Sequence, residues 1–448
     1  MKKETATIRI GSGAGYSGDR IDPAVELVEK GNLDFLVFEC LAERTIALAQ
    51  QRRSKDPDSG YDPLLEERML ACLPGCAARG IRMITNMGAA NPRAALAKTK
   101  AVAGGLGLKN LTLAAVSGDE VSALLQDGDF TLLETGAPLD SIRDKIISAN
   151  AYLGVKSIVD ALDEGAQVII TGRVADPALF LAPAIHSFQW DRRDYRLMGQ
   201  GTVMGHLLEC AGQVTGGYFA DPGYKEVPGL DHLGFPIAEV HRDGTFVLSK
   251  VDGSGGRIDK ATCTEQLLYE IHDPANYQTP DVVADFSRVR LTEDGADRIS
   301  VQGGYGRHPS GRLKVSIGYR DGFLGEGQIS YGGANAVARG QLAIDILKKR
   351  LARLEIPEDD LRFDLIGLNA LYGATAAQAI PGEVRLRVAA RTASPVIAAM
   401  IGREVEALYT NGPAGGGGAV SQVREIVAVQ SVLIPAELVK PQIHLEKI

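Results

Sequence analysis

Between residue 5 and about residue 185, short apolar runs alternate with amphipathic stretches, and few folds tolerate that pattern. TATIRIG, LDFLVFEC, IRMITNMG, LTLAAVSG and AQVIITG read as strands. IDPAVELVEKG, LAERTIALAQQRR, PLLEERMLACLPGCAARG and NPRAALAKTKAVAGGLG read as helices. Asp22 stands in a capping position with Pro23 in the first turn, and Pro92 starts the fourth helix. Strands and helices in this order predict right-handed βαβ units and a mostly parallel, Rossmann-like sheet covered on both faces.

The texture changes further on. AEVHRDGTFVLSKVDG predicts a hairpin turning at Asp243-Gly244, and TCTEQLLYEIH a helix from about Thr262 with Glu265 as its capping-box partner. From about residue 286, polar and apolar residues alternate between glycine-containing turns, as in antiparallel strands. A long helix is expected over about 333–354, then a strand at GEVRLRVAAR, a helix ended by Gly412 and a strand at EIVAVQSVLI. The expected organisation is an α/β parallel-sheet domain over 1–285, carrying the site, and an α+β domain with antiparallel strands over 286–448.

Charge narrows the function classes. With 48 basic against 56 acidic residues the net charge is −8, which argues against a nucleic-acid or anionic-membrane binder. Uninterrupted apolar runs stay too short for a membrane span, and the N-terminus enters a strand pattern without a signal-peptide core. Five cysteines form an odd set without framework spacing, so a reducing, cytoplasmic setting is expected.

In open parallel sheets, ligands bind where loops converge beyond the strand carboxyl ends. The first loop is GSGAGYSGDR. Its Gly13, Gly15 and Gly18 are candidates for cradling an anion, although neither the dinucleotide nor the P-loop spacing is met and a tight turn explains them equally. The second strand delivers Glu39 and Cys40, followed by Glu43 and Arg44. Asn86 ends the third strand and Asn91 opens the next helix; the fifth strand gives Arg173 and then Asp176. A carboxylate at a strand tip is costly to desolvate unless paired or functional, which makes Glu39 the candidate acid/base. Arg44 and Arg173 are candidate clamps for a substrate carboxylate, and Asn86 and Asn91 candidate hydrogen-bond donors. Asp176 is either a site carboxylate or the structural partner of Arg173.

Other residue types yield weaker signals. Cys40 is a nucleophile or a small core residue. Cys72 and Cys76 lack a second pair, and His206 with Glu209 has metal-compatible spacing without a second such pair, so no metal site is expected. Arg307 and His308 are hairpin residues, and the glycines of GPAGGGGA suit a close approach or a surface loop. No motif requires a cofactor.

Taken together, GSGAGYSGDR, DFLVFECLAERT, ITNMGAANP, ITGRVADPALFLAP and ECAGQVTGG resemble the acyclic terpene utilisation (AtuA-type) family, and the likeness runs on to near residue 420. That resemblance implies bacterial breakdown of branched acyclic terpenoids through acyl-CoA intermediates, and transfers no catalytic residues. It also implies a small ferredoxin-like domain in some members, expected here as a separate partner subunit. The resulting expectation is a homo-oligomeric catabolic enzyme acting on a small branched carboxylate or its CoA ester by lyase (hydration/dehydration) chemistry. The alternatives are a non-catalytic partner subunit of an acyl-CoA enzyme such as a carboxylase, and a thiol hydrolase using Cys40.

Overall fold

The computed structural model describes residues 6–373 and 380–448. The chain divides into two compact units: residues through Gly318 together with Val429–Ile448, and Tyr319–Ala428.

The first unit begins as the sequence pattern predicts: β1 (Thr7–Ala14), α1 (Asp22–Lys30), β2 (Phe35–Phe38), α2 (Glu43–Lys55), α3 (Leu65–Arg79), β3 (Arg82–Thr85), α4 (Pro92–Gly105) and β4 (Thr112–Ser117). It continues with β5 (Ile146–Ala151), α5 (Lys156–Asp163), β6 (Val168–Thr171), α6 (Asp176–Phe188) and α7 (Tyr195–Glu209). The pairs β1–β2, β2–β3, β3–β6 and β6–β4 are all parallel. Every residue of β2 and β6 is buried, because helices cover both faces of the sheet there. Asp22 is the first helical residue of α1 rather than its cap; its carboxylate pairs with Arg20.

Antiparallel strands extend this parallel centre on both sides. After β7 (Pro236–His241), β8 (Phe246–Lys250), α8 (Lys260–Leu268), β9 (Tyr277–Gln278) and β10 (Val283–Asp285) come β11 (Arg290–Glu293), β12 (Ile299–Gln302) and β13 (Tyr305–Arg307). The cap of α8 is Asp259, whose side chain accepts from Ala261 and Thr262 and forms a capping box with Thr262. Glu265, the expected partner, instead pairs with Lys225. Strands β7, β8, β11 and β12, together with β18 (Gln442–Lys447), complete a ten-stranded sheet ordered β11-β12-β8-β7-β1-β2-β3-β6-β4-β18, while β13, β10 and β9 form a separate antiparallel three-stranded sheet. The change of texture near 286 therefore falls inside this unit: β11 and β12 lengthen one edge of the sheet, and β18 closes the other against β4.

Helices α6 and α7 are buried nearly all round, as helices enclosed by a large core must be. They approach closely at Gly205, where a Cβ would lie 2.6 Å from the Cα and the carbonyl oxygen of Pro177. The second unit contains the later part of β14 (Arg312–Gly332), α9 (Ala336–Leu351), β15 (Leu361–Ile366), β16 (Glu383–Thr392), α10 (Pro395–Glu406), α11 (Leu408–Asn411) and the earlier part of β17 (Gly417–Pro435). Its strands run β15-β16-β14-β17, and Ile329, Leu386 and Val388 pack with Leu347 of α9 and Ile401 of α10. The alternate sheet face is polar, where Arg387 joins Glu326 and Asp364. This is the α+β texture expected of the second half. No helix among the described residues is long and apolar enough to cross a membrane.

Candidate active site

Carboxyl ends of the parallel strands deliver a set of carboxylates around one guanidinium. Glu39 follows β2 and is buried; its Oε1 accepts from the Leu41 N–H and from Asn86 Nδ2, both at 2.8 Å. Asn86, fully buried at the end of β3, accepts at Oδ1 from the Cys40 N–H at 2.7 Å. One amide thus fixes both the carboxylate and the backbone that carries it.

Arg173, just beyond β6, is 1% exposed. Its guanidinium donates to the carbonyls of Leu41 and Val174 and to Asp176 Oδ1, and lies 4.5 Å above the Tyr152 ring. Its main-chain N–H is held by Asp119, whose Oδ2 also accepts from Asn150 at 2.9 Å. Tyr152 follows β5 and donates to Glu43 Oε1 at 2.6 Å, where Lys314 also binds at 3.2 Å.

Proton affinities diverge across this cluster. Burial pushes the Glu39 carboxyl up, against Arg173 and the bonds from Leu41 and Asn86. It pushes Glu209 up in the same way against His206, and Asp176 well up against Arg173, with Glu39 and Glu209 adding to the rise. At Glu43 burial acts in the same direction, but the Tyr152 hydroxyl, Lys314 and Arg173 outweigh it and bring the carboxyl down to about 2. Neighbouring carboxylates so close to one cation cannot all ionise independently, and they titrate as a group.

These groups line two cavities within the first unit. One, of about 260 Å³, is bounded by Glu43, Tyr152, Asp176, His206, Glu209, Glu270, Tyr277, Arg312 and Lys314 among others. A second, of about 570 Å³, reaches Glu39 and Arg173. Glu43, Tyr152, Asp176, Glu209 and Glu270 border both, so the two form one cleft of the size expected for a small-molecule ligand. Glu270 holds a left-handed backbone (φ +58°), a strained conformation for a glutamate of the kind that collects at functional sites.

A family model described as "Acyclic terpene utilisation family protein AtuA" matches residues 8–445. The chain belongs to that family. No curated protein matches it significantly. Among solved structures, a homoserine dehydrogenase from Thiobacillus denitrificans is 12% identical over 90% of this chain and 84% of its own, with a TM-score of 0.13, too slight a likeness to support any argument.

In this AtuA-family chain the expected site residues divide. Glu39, Arg173 and Asp176 line the cleft, with Asn86 directly behind Glu39. Arg44 is exposed on α2 and is not among the residues bordering either cavity. Asn91 caps α4 through Ala94 and donates to the carbonyls of Pro57 and Ser59, so its amide is used in holding that turn. Arg173 is committed to internal acceptors and acts as a buried counter-charge; a bidentate clamp on a substrate would have to break those bonds.

The glycine loop also has a packing role. A Cβ on Gly13 would meet the Phe38 ring at 2.7 Å, one on Gly15 the Cys210 backbone at 2.5 Å, and one on Gly18 the Tyr16 ring at 2.8 Å. The Gly15 N–H is taken by the chain's own Asp19 at 2.9 Å, a carboxylate where an anion was expected. Cys40 is 2% exposed beside Arg68, and burial pushes its thiol well up, the opposite of an activated nucleophile.

Sequence reasoning did not place Tyr152, Glu270 or Lys314 in the site, and read Glu209 only as half of a metal-type pair. Tyr152 carried only a weak signal, because the strand it follows, β5, is not a clear apolar run in the sequence. Glu270 and Lys314 carried none, because only the tertiary fold brings them to the cleft.

Proposed function

We propose that this AtuA-family protein is a lyase-type acid–base enzyme that adds or removes water beside the carbonyl of a small branched carboxylate or its CoA ester, in acyclic terpenoid-type degradation. The observation that carries this reading is a carboxyl fixed at a cleft that also holds a buried guanidinium: Glu39 Oε1 is held by the Leu41 N–H and by Asn86 Nδ2, both at 2.8 Å, and Arg173 borders the same cavity. Burial raises the proton affinity of Glu39, which suits a group that takes a proton. Glu39, fixed by Asn86 and Leu41, abstracts or returns the proton next to the carbonyl. Arg173 supplies a buried positive charge close to the enolate that develops.

Deuterium incorporation from D₂O into branched carboxylates and their CoA esters, followed by mass spectrometry, tests the reading. Exchange by the wild type and its loss in Glu39→Gln, with folding intact, is the expected result. Undiminished exchange in Glu39→Gln refutes the role of Glu39. Absence of exchange with every acid and ester, together with a stable complex with an acyl-CoA carboxylase, would favour the non-catalytic subunit instead.

A further inference from the structure

His206 and Glu209 lie one turn apart on α7, and both border the cleft. Nε2 of His206 is 3.0 Å from the carbonyl oxygen of Gln266, and Nδ1 is 2.9 Å from Glu209 Oε1. The Gln266 amide returns a bond to the His206 main-chain carbonyl at 3.1 Å, which ties α7 to α8 beside the ring. The imidazole is 2% exposed and packs against Tyr277 and Phe286.

This arrangement constrains the protons. A carbonyl oxygen only accepts, so Nε2 carries a hydrogen. A neutral imidazole has one N–H, which leaves a bare lone pair at Nδ1 facing a carboxyl oxygen at hydrogen-bond distance. Two acceptors do not share such a contact without a proton between them. Glu209 Oε2 is buried without a hydrogen-bond partner among the described residues, which would penalise a bare carboxylate.

We propose that His206 and Glu209 together hold one extra proton on the Nδ1–Oε1 line and deliver it through Glu209 into the cleft as the general acid. This rests on the lyase reading above. In dehydration, Glu39 takes the proton beside the carbonyl and that C–H electron pair becomes the C=C bond. The C–O bond on the next carbon breaks, and its oxygen leaves as water with the proton from Glu209. Glu39 then returns its proton to solvent and the His206–Glu209 pair regains one, so the cycle is neutral. Hydration is the reverse. His206 acts through Glu209 and is a positioning residue; the charged and titratable groups facing the pair are Glu39, Arg173, Asp176, Cys210, Glu270 and Tyr277.

Nitrogen-15 NMR of the histidine rings in the full chain at pH 7 tests the pair without turnover. The expected result is a proton-bearing or proton-sharing Nδ1 on His206 in the wild type, and a bare, amide-bonded Nδ1 in Glu209→Gln. A bare Nδ1 in the wild type, or identical spectra in the two, overturns the proposal. In the dehydration assay, Glu209→Gln is expected to lose about 10²–10⁴-fold and the alkaline limb of the pH profile, while exchange from D₂O, which Glu39 performs, persists. Full dehydration by Glu209→Gln overturns the delivery step. A wild type with the shared proton but inactive on every acyl substrate refutes the lyase reading and its acid step, and leaves the shared proton itself standing.

Discussion

Replacing Gly205 by alanine probes the contact that brings α7 and its site residues against α6. A Cβ there would stand 2.6 Å from both the Cα and the carbonyl oxygen of Pro177. Nonbonded carbons settle at about 3.5–4.0 Å, so the helices must part by roughly 1 Å. Overpacking of a buried contact costs about 1–3 kcal/mol, toward the upper end when the obstacle is backbone. Alanine offsets about 1 kcal/mol of this through its helix preference, which leaves a net loss of about 2 kcal/mol. Gly201 on the same helix is the control: there the new methyl meets only side chains, the Leu181 tip and, at 3.2 Å, the Trp190 ring. These can shift where backbone cannot, so strain and propensity should nearly cancel, and the comparison is made on unfolding midpoints rather than on native fluorescence intensity.

Guanidinium unfolding followed by fluorescence reads the difference directly. The chain has one tryptophan, Trp190, which stands between the two helices with its indole N–H bonded to the Arg242 carbonyl at 2.9 Å. Gly205→Ala should unfold at a clearly lower denaturant concentration than Gly201→Ala. A displacement of about 1 Å at Glu209 should also cost on the order of 100-fold in dehydration. If Gly205→Ala proves as stable as Gly201→Ala, the helices have room to spare and the close-approach argument is wrong.

Three further outcomes are expected. Asn86→Ala should lose about 2–4 kcal/mol, because it strands the buried Cys40 N–H and removes a donor from Glu39; urea melts showing a loss below 0.5 kcal/mol would mean the amide anchors neither. Glu43 is lowered from 4.5 to about 2, so its stabilising contribution is complete above its unfolded value and is lost as pH falls through that window. Acid titration of stability should therefore be flatter below pH 4.5 in Glu43→Gln than in the wild type, and equal slopes would contradict the Tyr152–Lys314 environment. Native protein treated with iodoacetamide should leave Cys40 unlabelled in peptide mass spectra, since its thiol is buried and pushed up; labelling that substrate prevents would restore the thiol-hydrolase reading.

The parallel centre of the first unit was legible because each strand from β1 to β6, apart from β5, is a short apolar run bounded by turn residues, and such runs have one stable use. The strand-end rule then located Glu39, Asn86, Arg173 and Asp176 at a single region before any contact was known. Periodicity gave no information on sheet edges. That β11 and β12 lengthen the first sheet, and that QIHLEK returns to pair with β4, are long-range choices made by edge hydrogen bonding.

Roles were less legible than positions. Arg44 and Arg173 are the same residue type, each following the carboxyl end of a parallel strand (β2 and β6), yet one is exposed and the other is sealed by Leu41, Val174 and Asp176. The glycines of the first loop look alike as letters, and only packing against Phe38, Cys210 and Tyr16 gives their reason. Spacing put His206 and Glu209 on one helix face, but the Gln266 carbonyl that determines which ring nitrogen bears hydrogen comes from another helix. The sequence by itself determined which residues the strand tips present. Tertiary structure decided which of those tips share a cleft and how tightly each holds its proton, because burial and neighbouring charge depend on what the rest of the chain brings alongside.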